Sequence, residues 1–284
     1  MPPRTVSEKR VLITGAASGI GRATALAAAD KRARLFLTDV DAGALQSVAD
    51  EVLERGGALD YAKPLDISDH GAVAAMAAEI HDEHGSLDVL MNVAGIAIWG
   101  TVETLSHEQW QRVIDVNLMG PIHVVECFVP PMIAARRGGH LVNVSSAAGL
   151  FGLPWHAPYS TTKFGLRGLS EVLRFDLRRH DIGVHLVCPG AVNTGLVETL
   201  EIANADRTSA PFERETARFQ RHAISPEQAA AKIIEGVERN RYWVYTSRDI
   251  QVGHFLQRRF EGGYALVMRL LNARFGALAA KAKA

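Results

Sequence analysis

The chain has 284 residues, of which 48% are hydrophobic and 22% charged, and its formal net charge is zero. That composition belongs to a globular protein long enough for one large α/β domain or two small ones. It argues against a general nucleic-acid surface. Two cysteines, Cys127 and Cys188, form no disulfide framework or metal site by themselves, and no uninterrupted run of 18 apolar residues is present.

Residues 10–14, Arg-Val-Leu-Ile-Thr, make a short apolar run followed at once by Gly15-Ala-Ala-Ser-Gly19-Ile-Gly21, and residues 22–30 read as an alanine-rich helix. A glycine cluster alone is an ordinary turn. Between a strand and a helix it reads as a phosphate cradle, because glycines admit a pyrophosphate and the helix N-terminus supplies amide donors. Gly15, Ser18, Gly19, Ile20 and Gly21 are the candidate contacts. Residues 34–39 form a second strand, which ends in Asp39, one helix and one strand beyond Gly21. An acid there either takes the adenosine ribose hydroxyls or is a plain strand-end turn residue. A charged amphipathic helix over 41–56 precedes a third strand over 59–65, which ends in Asp66-Ile67, a pair placed for the adenine edge. The helix over 71–84 carries His81 and His84, which read as solvated, since no partner stands at a metal-ligand spacing. No metal is expected.

A fourth strand over 87–92 opens into Val93-Ala94-Gly95. Residues 106–135 read as one long helix, or two joined near Gly120-Pro121, with Asn117 inside an apolar face. A buried asparagine must satisfy its amide, so Asn117 makes either a structural bond or part of a polar site. A fifth strand covers 140–145, a helix 159–179, a sixth strand 183–188 ended by Pro189-Gly190, and a seventh 242–245. Alternation of strand and helix predicts a single-domain, Rossmann-like, doubly wound parallel sheet of about seven strands over residues 1–245. Its ligand edge is at the carboxyl ends of the strands.

From Gly138 to Thr162 there is no Asp, Glu, Lys or Arg, and Lys163 closes that stretch. Tyr159 and Lys163, four apart, share a helix face, and Ser146 ends the buried strand before them. A phenol has an ordinary pKa of about 10. A nearby ammonium favours phenolate and is expected to lower that value, which suits Tyr159 to general acid/base work.

With these pieces in place the chain resembles the short-chain dehydrogenase/reductase family over roughly residues 8–245. The resemblance rests on Thr14-Gly-Ala-Ala-Ser-Gly-Ile-Gly21, Asn92-Val-Ala94-Gly95, Asn117, Ser146, Tyr159-x-x-x-Lys163 and Pro189-Gly190 with Thr194. Asn92-Val-Ala-Gly departs from the common Asn-Asn-Ala-Gly by one amide. The family's usual separation of serine from tyrosine assigns the serine to Ser146 and not Ser145. The resemblance implies Tyr159 as general acid/base and Lys163 as the residue that lowers its pKa and holds the nicotinamide ribose. It implies Ser146 on the substrate oxygen, Asn117 holding a water behind Lys163, and Val192 and Thr194 on the nicotinamide carboxamide. It also implies assembly as a homodimer or homotetramer.

Asp39, with neutral Ala17, Ser18 and Val40 where a compensating cation is expected, favours NAD over NADP. Ile96, Ile98, Trp99, Leu150, Phe151, Leu153 and Trp155 stand where the family lines its pocket, which predicts a largely apolar secondary alcohol or ketone. The competing readings are an NADPH-dependent acyl-chain ketoreductase and a non-catalytic nucleotide-binding scaffold. Residues 195–222 are expected to lid the substrate pocket. Residues 246–284 form a helical extension in which Tyr264, Val267, Met268, Leu271, Phe275 and Leu278 recur as one apolar stripe. Gly262-Gly263 is expected to break the helix just before it. Six basic side chains against one acid give residues 255–284 a charge of +5. Docking of the stripe on this protein or its twin is favoured over a membrane surface contact through 264–278. With no signal-peptide core before residue 10, a reduced, cytoplasmic setting is expected.

Overall fold

A computed structural model of the protein describes residues 4–195, 200–203 and 223–282, with side chains as far as Ala277. Seven parallel strands make the main sheet: β1 (Arg10–Thr14), β2 (Arg34–Asp39), β3 (Ala58–Pro64), β4 (Val89–Asn92), β6 (Gly139–Val144), β7 (Ile182–Cys188) and β9 (Trp243–Tyr245). They stand in the order β3-β2-β1-β4-β6-β7-β9. Two short strands, β5 (Ile98–Trp99) and β8 (Glu201–Ile202), pair separately from that sheet. The helices are α1 (Gly19–Asp30), α2 (Ala42–Glu54), α3 (His70–His84), α4 (His107–Ile114), α5 (Gly120–Ala135), α6 (Ala157–Asp176), α7 (Pro226–Glu238), α8 (Arg248–Gln257) and α9 (Glu261–Ala282).

Strand periodicity sorts the core. Val11 and Ile13 of β1, with Leu35 and Leu37 of β2, pack under α1, α2 and α7 through Leu26, Leu45, Val48 and Ile233. Leu12 and Phe36 point the opposite way, onto Met76, Ile80, Val124 and Phe128 of α3 and α5. Successive side chains alternate faces, so both faces of a parallel sheet must be apolar and covered. The pairing register lines up Thr38, Thr14, Asn92 and Asn143 across four neighbouring strands at their carboxyl ends. Beyond that row, between β1 and β4, the winding reverses. This is the point where such a sheet opens a crevice.

One expectation holds, one shifts and one falls mostly outside the described residues. Residues 107–135 form one run, as expected, in which a π-turn, Asp115–Met119, carries Asn117 and joins α4 to α5 just before Gly120-Pro121. By length and composition this run is apolar enough to cross a membrane, yet Val124, Phe128 and Met132 lie in the core beneath the sheet. Gly262-Gly263 lies inside α9, and the chain turns earlier, at residues 258–260. Most of the expected 195–222 lid is outside the described residues; only Gly195 and residues 200–203 are within them.

Candidate active site

A cleft of about 850 Å³ runs along the carboxyl edge of the sheet. Its first end is built by the glycine turn. Gly15 has φ 69°, and a Cβ there would lie 2.6 Å from the Ala94 backbone; a Cβ on Gly21 would lie 1.8 Å from the Gly15 carbonyl oxygen. Only glycine lets the turn close onto β4 and α1 start beneath it. Ser18, the residue before α1, makes no side-chain cap, and the first turn of α1 holds no acid. The amides at this helix start are therefore left to the cleft, which Ser18, Gly19, Ile20 and Gly21 all line. That arrangement fits a pyrophosphate.

Asp39 lines the same end. Its carboxylate accepts from Ala17 N at 2.9 Å and from Asp41 N at 3.1 Å, so two backbone donors aim it. Asp66 and Ile67 also line the cleft. Asp66 accepts from Ser68 N and Oγ at 2.9 and 2.7 Å, and the Ile67 carbonyl lies 3.1 Å from His123 Nδ1. Ala94, Gly95, Pro189, Val192 and Thr194 line the middle of the cleft. Val93 N and Ala94 N donate to Thr14 Oγ1 at 3.2 and 3.3 Å, which pins this turn to β1.

Ser146, Tyr159 and Lys163 meet at the far end. The two adjacent serines divide their work. Ser145 Oγ donates to the Lys163 carbonyl at 2.9 Å and is buried. Ser146 faces the cleft beside the Tyr159 phenol and accepts from Ala148 N at 3.1 Å. Lys163 is 3% exposed. Its Nζ donates to the Val144 carbonyl at 3.0 Å and lies 5.6 Å from the Tyr159 ring centroid. Burial lowers the Lys163 ammonium to about 8. Burial also raises the Tyr159 phenol, and the neighbouring Ser146 hydroxyl only opposes that rise. The expected lowering of the phenol by Lys163 is not found; the phenol is raised instead, because a desolvated phenol holds its proton unless positive charge is set close beside it.

Two predicted residues lie beneath the cleft and do not line it. Asn92 is buried and donates from Nδ2 to Asn143 Oδ1 at 2.9 Å, while its own Oδ1 has no partner among the described residues. Asn117 is spent on Ile96, accepting from its N–H at 2.8 Å and donating to its carbonyl at 2.9 Å. A Cβ on Gly95 would lie 3.0 Å from Asn117 Oδ1 and 3.4 Å from Lys163 Nζ, so Asn117 and Lys163 flank the same turn.

The walls beside Tyr159 are apolar. Ile96, Trp99, Phe151, Leu153 and Trp155 line the cleft as expected. Ile98 and Leu150, each 1% exposed, do not; they pack into the protein. Leu200, Ile202, Ile250 and His156 line it too, and no local pattern in the sequence singles them out. His156 packs against Trp99 with ring centroids 4.1 Å apart, and burial lowers it to about 4, so it is neutral at neutral pH. A further wall is α9. Leu271 and Phe275 line the cleft, Phe275 lies 6.0 Å from Trp155 by ring centroids, and Tyr264 Oη accepts from Gly152 N at 2.9 Å. The stripe docks on its own chain, except that Val267 faces outward; the Leu278 side chain lies outside the described residues. Trp155 is held at φ 67°, a left-handed conformation costing about 1–3 kcal/mol for a bulky residue. Gly100 N, donating to its carbonyl at 2.8 Å, helps hold it there.

Comparison with known proteins agrees with this geometry. Residues 9–205 match the model of the short chain dehydrogenase family. A Mycobacterium tuberculosis protein named as an oxidoreductase, SadH, is 33% identical over 94% of this chain and 96% of its own. The structure of a short chain dehydrogenase/reductase from Burkholderia phymatum in complex with NAD is 30% identical, with a TM-score of 0.81 over 89% of this chain and 94% of that one. A metagenomic short-chain oxidoreductase in complex with NADP is 31% identical, with a TM-score of 0.68 over 84% of this chain and 96% of that one.

Proposed function

This chain belongs to the short-chain dehydrogenase/reductase family of NAD(P)-dependent oxidoreductases, and from that premise we propose that it moves a hydride between NAD(H) and a largely apolar secondary alcohol or ketone. The observation that carries the proposal is one cleft with Asp39 at one end and Ser146, Tyr159 and Lys163 at the other, walled by apolar side chains.

The dinucleotide, when bound, supplies the hydride acceptor or donor. Tyr159 gives or takes the proton at the substrate oxygen. Ser146 holds that oxygen and stabilises the charge that develops on it. Lys163 holds the nicotinamide ribose and keeps positive charge beside the phenol. Asn117 acts through others, fixing the 93–96 turn against Lys163, and Asn92 acts from below through Asn143. Gly15, Ser18, Gly19, Ile20 and Gly21 receive the pyrophosphate. Asp66 and Ile67 meet the adenine; Ala94, Gly95, Pro189, Val192 and Thr194 bound the nicotinamide half.

Choice of NAD rests on Asp39. A ribose 2′-phosphate would face this carboxylate with neutral Ala17, Ser18 and Val40 around it. Catalytic efficiency measured with both cofactors on a panel of secondary alcohols tests the reading. We expect a preference for NAD of on the order of a hundredfold, and a preference for NADPH overturns it. Exposed Phe164, Val172 and Phe175 along α6 support a homodimer or homotetramer. Free Cys127 and Cys188 fit a reducing compartment, and we place the protein in the cytoplasm.

A further inference from the structure

The C-terminal helix is apolar on two sides. Its inner row, Tyr264, Met268, Leu271 and Phe275, is half-buried over the substrate end of the cleft. Half a turn round the helix, at the same spacings of four and three, run Leu266, Leu270, Ala273 and Ala277, all exposed. Leu266 is 56% exposed, Val267 50% and Leu270 64%, and Phe260, in the turn that feeds the helix, 61%. The inner row accounts for one face only. A second apolar row, left uncovered by the fold, calls for a cover of its own, and adjoining exposed leucine, valine and phenylalanine mark a surface that meets something.

Charge decides what meets it. Arg258, Arg259 and Arg269 are exposed and make no ion pair among the described residues. From Phe255 to Ala282 the only acid in the sequence is Glu261. A second copy presenting the same face would set these cations against their own counterparts, and like charges brought together without partners oppose pairing. Anionic headgroups neutralise them, and the outer acyl region takes the leucines.

We propose that the outer row of α9, with the Phe260 turn, binds the surface of an anionic lipid bilayer. The helix then has the bilayer on one side and the cleft on the other. An apolar substrate dissolved in lipid is separated from the site by one helix diameter, roughly 10 Å. That last consequence rests on the redox reading above; the binding itself does not.

Sedimentation of the purified full chain with vesicles tests it. Vesicles of phosphatidylcholine with phosphatidylglycerol should bind the protein, and vesicles of phosphatidylcholine alone much less. Added salt should weaken the binding, as screened charge requires. Leu266→Glu combined with Leu270→Glu should lower the apparent affinity by about tenfold or more. Neither residue lines the cleft, so turnover of a water-soluble alcohol and the melting temperature should hold. If that double variant folds poorly, Arg259→Glu with Arg269→Glu gives an independent reading on the same vesicles. Absence of binding by the full chain, or binding that both variant pairs leave intact, overturns the proposal. So does a drop in particle size by light scattering in the leucine variant with vesicle binding unchanged, which assigns the face to a second copy. Vesicle binding needs no turnover, so its failure and a failure of the redox reading are told apart.

Discussion

Tyr159 sits in a conflict between solvation and function. Burial holds its proton on, while the neighbouring Lys163 is drawn down to about 8 by the same burial. Both effects favour the neutral form of each group. Carbonyl reduction needs the phenol proton and the ammonium together. Its rate should therefore fall as pH rises through about 8, where Lys163 loses its charge, and a kcat profile from mildly acidic to alkaline pH checks this. Tyr159→Phe keeps the ring and removes the proton carrier. It should lower kcat by about 10²–10⁴-fold with NADH binding nearly unchanged by fluorescence titration. Substantial residual turnover would mean another proton route. The serines give a sharper contrast. Ser146→Ala should lower kcat by about 10²–10³-fold. Ser145→Ala, which loses a buried bond to the Lys163 carbonyl, should lower the melting temperature and leave kcat within a few-fold. Asn117 shows where residue-level reading stops. Its type and its place on a buried face are legible in the sequence. Its two bonds to Ile96 are not, because they depend on how the 93–96 turn folds back against the π-turn, far along the chain.

At the scale of elements, local signals suffice where local physics decides. The apolar runs of β1, β2, β4, β6 and β7 announce themselves because a strand buried on both faces is apolar throughout. The pair β5–β8 is unreadable for the opposite reason: Ile98-Trp99 is a strand only because Glu201-Ile202, far along the chain, lies beside it. Helix α7 is absent from the expected elements although its signal is present, a Ser225 capping box with Gln228 and Pro226 in the first turn. The stripe on α9 is legible as periodicity, but not the surface it covers. That surface is the apolar wall of the cleft, lined by Leu271 and Phe275; on the proposed function, Phe275→Ala should raise KM for bulky apolar alcohols by about tenfold, from lost burial of an aromatic, and leave NAD affinity alone. Truncation after Ser247 should do more, lowering the melting temperature and opening the cleft. A truncated protein with unchanged melting point and KM would separate α8 and α9 from the site.

The whole molecule carries an acid-sensitive seam. His140 and His185, on neighbouring strands β6 and β7, meet inside the core with Nδ1 and Nε2 2.8 Å apart, and His185 Nδ1 lies 2.7 Å from the Arg241 carbonyl. Burial, and then the neighbouring His140, lower His185 to about 3; burial lowers His156 to about 4. Both folded values lie below the ordinary 6.5, so below that pH the unfolded chain binds protons that the native protein refuses. The stability these groups contribute is complete above pH 6.5 and is lost as pH falls towards 3. For His185 the loss is at most roughly 4–5 kcal/mol. Melting temperature should drop steeply over that interval, and a flat profile would show that the core admits the charge.

Placing a wall of the pocket on α9 also orders events in time. The glycine turn, Asp39 and the Tyr159–Lys163 pair all come well before Glu261, where α9 begins. Chains emerge from the ribosome at about 5–20 residues per second, and earlier segments fold first. The nucleotide half of the cleft can therefore close while the substrate half still lacks a side. A nascent chain stalled before α9 should already hold the dinucleotide, yet have no enclosed place for an alcohol.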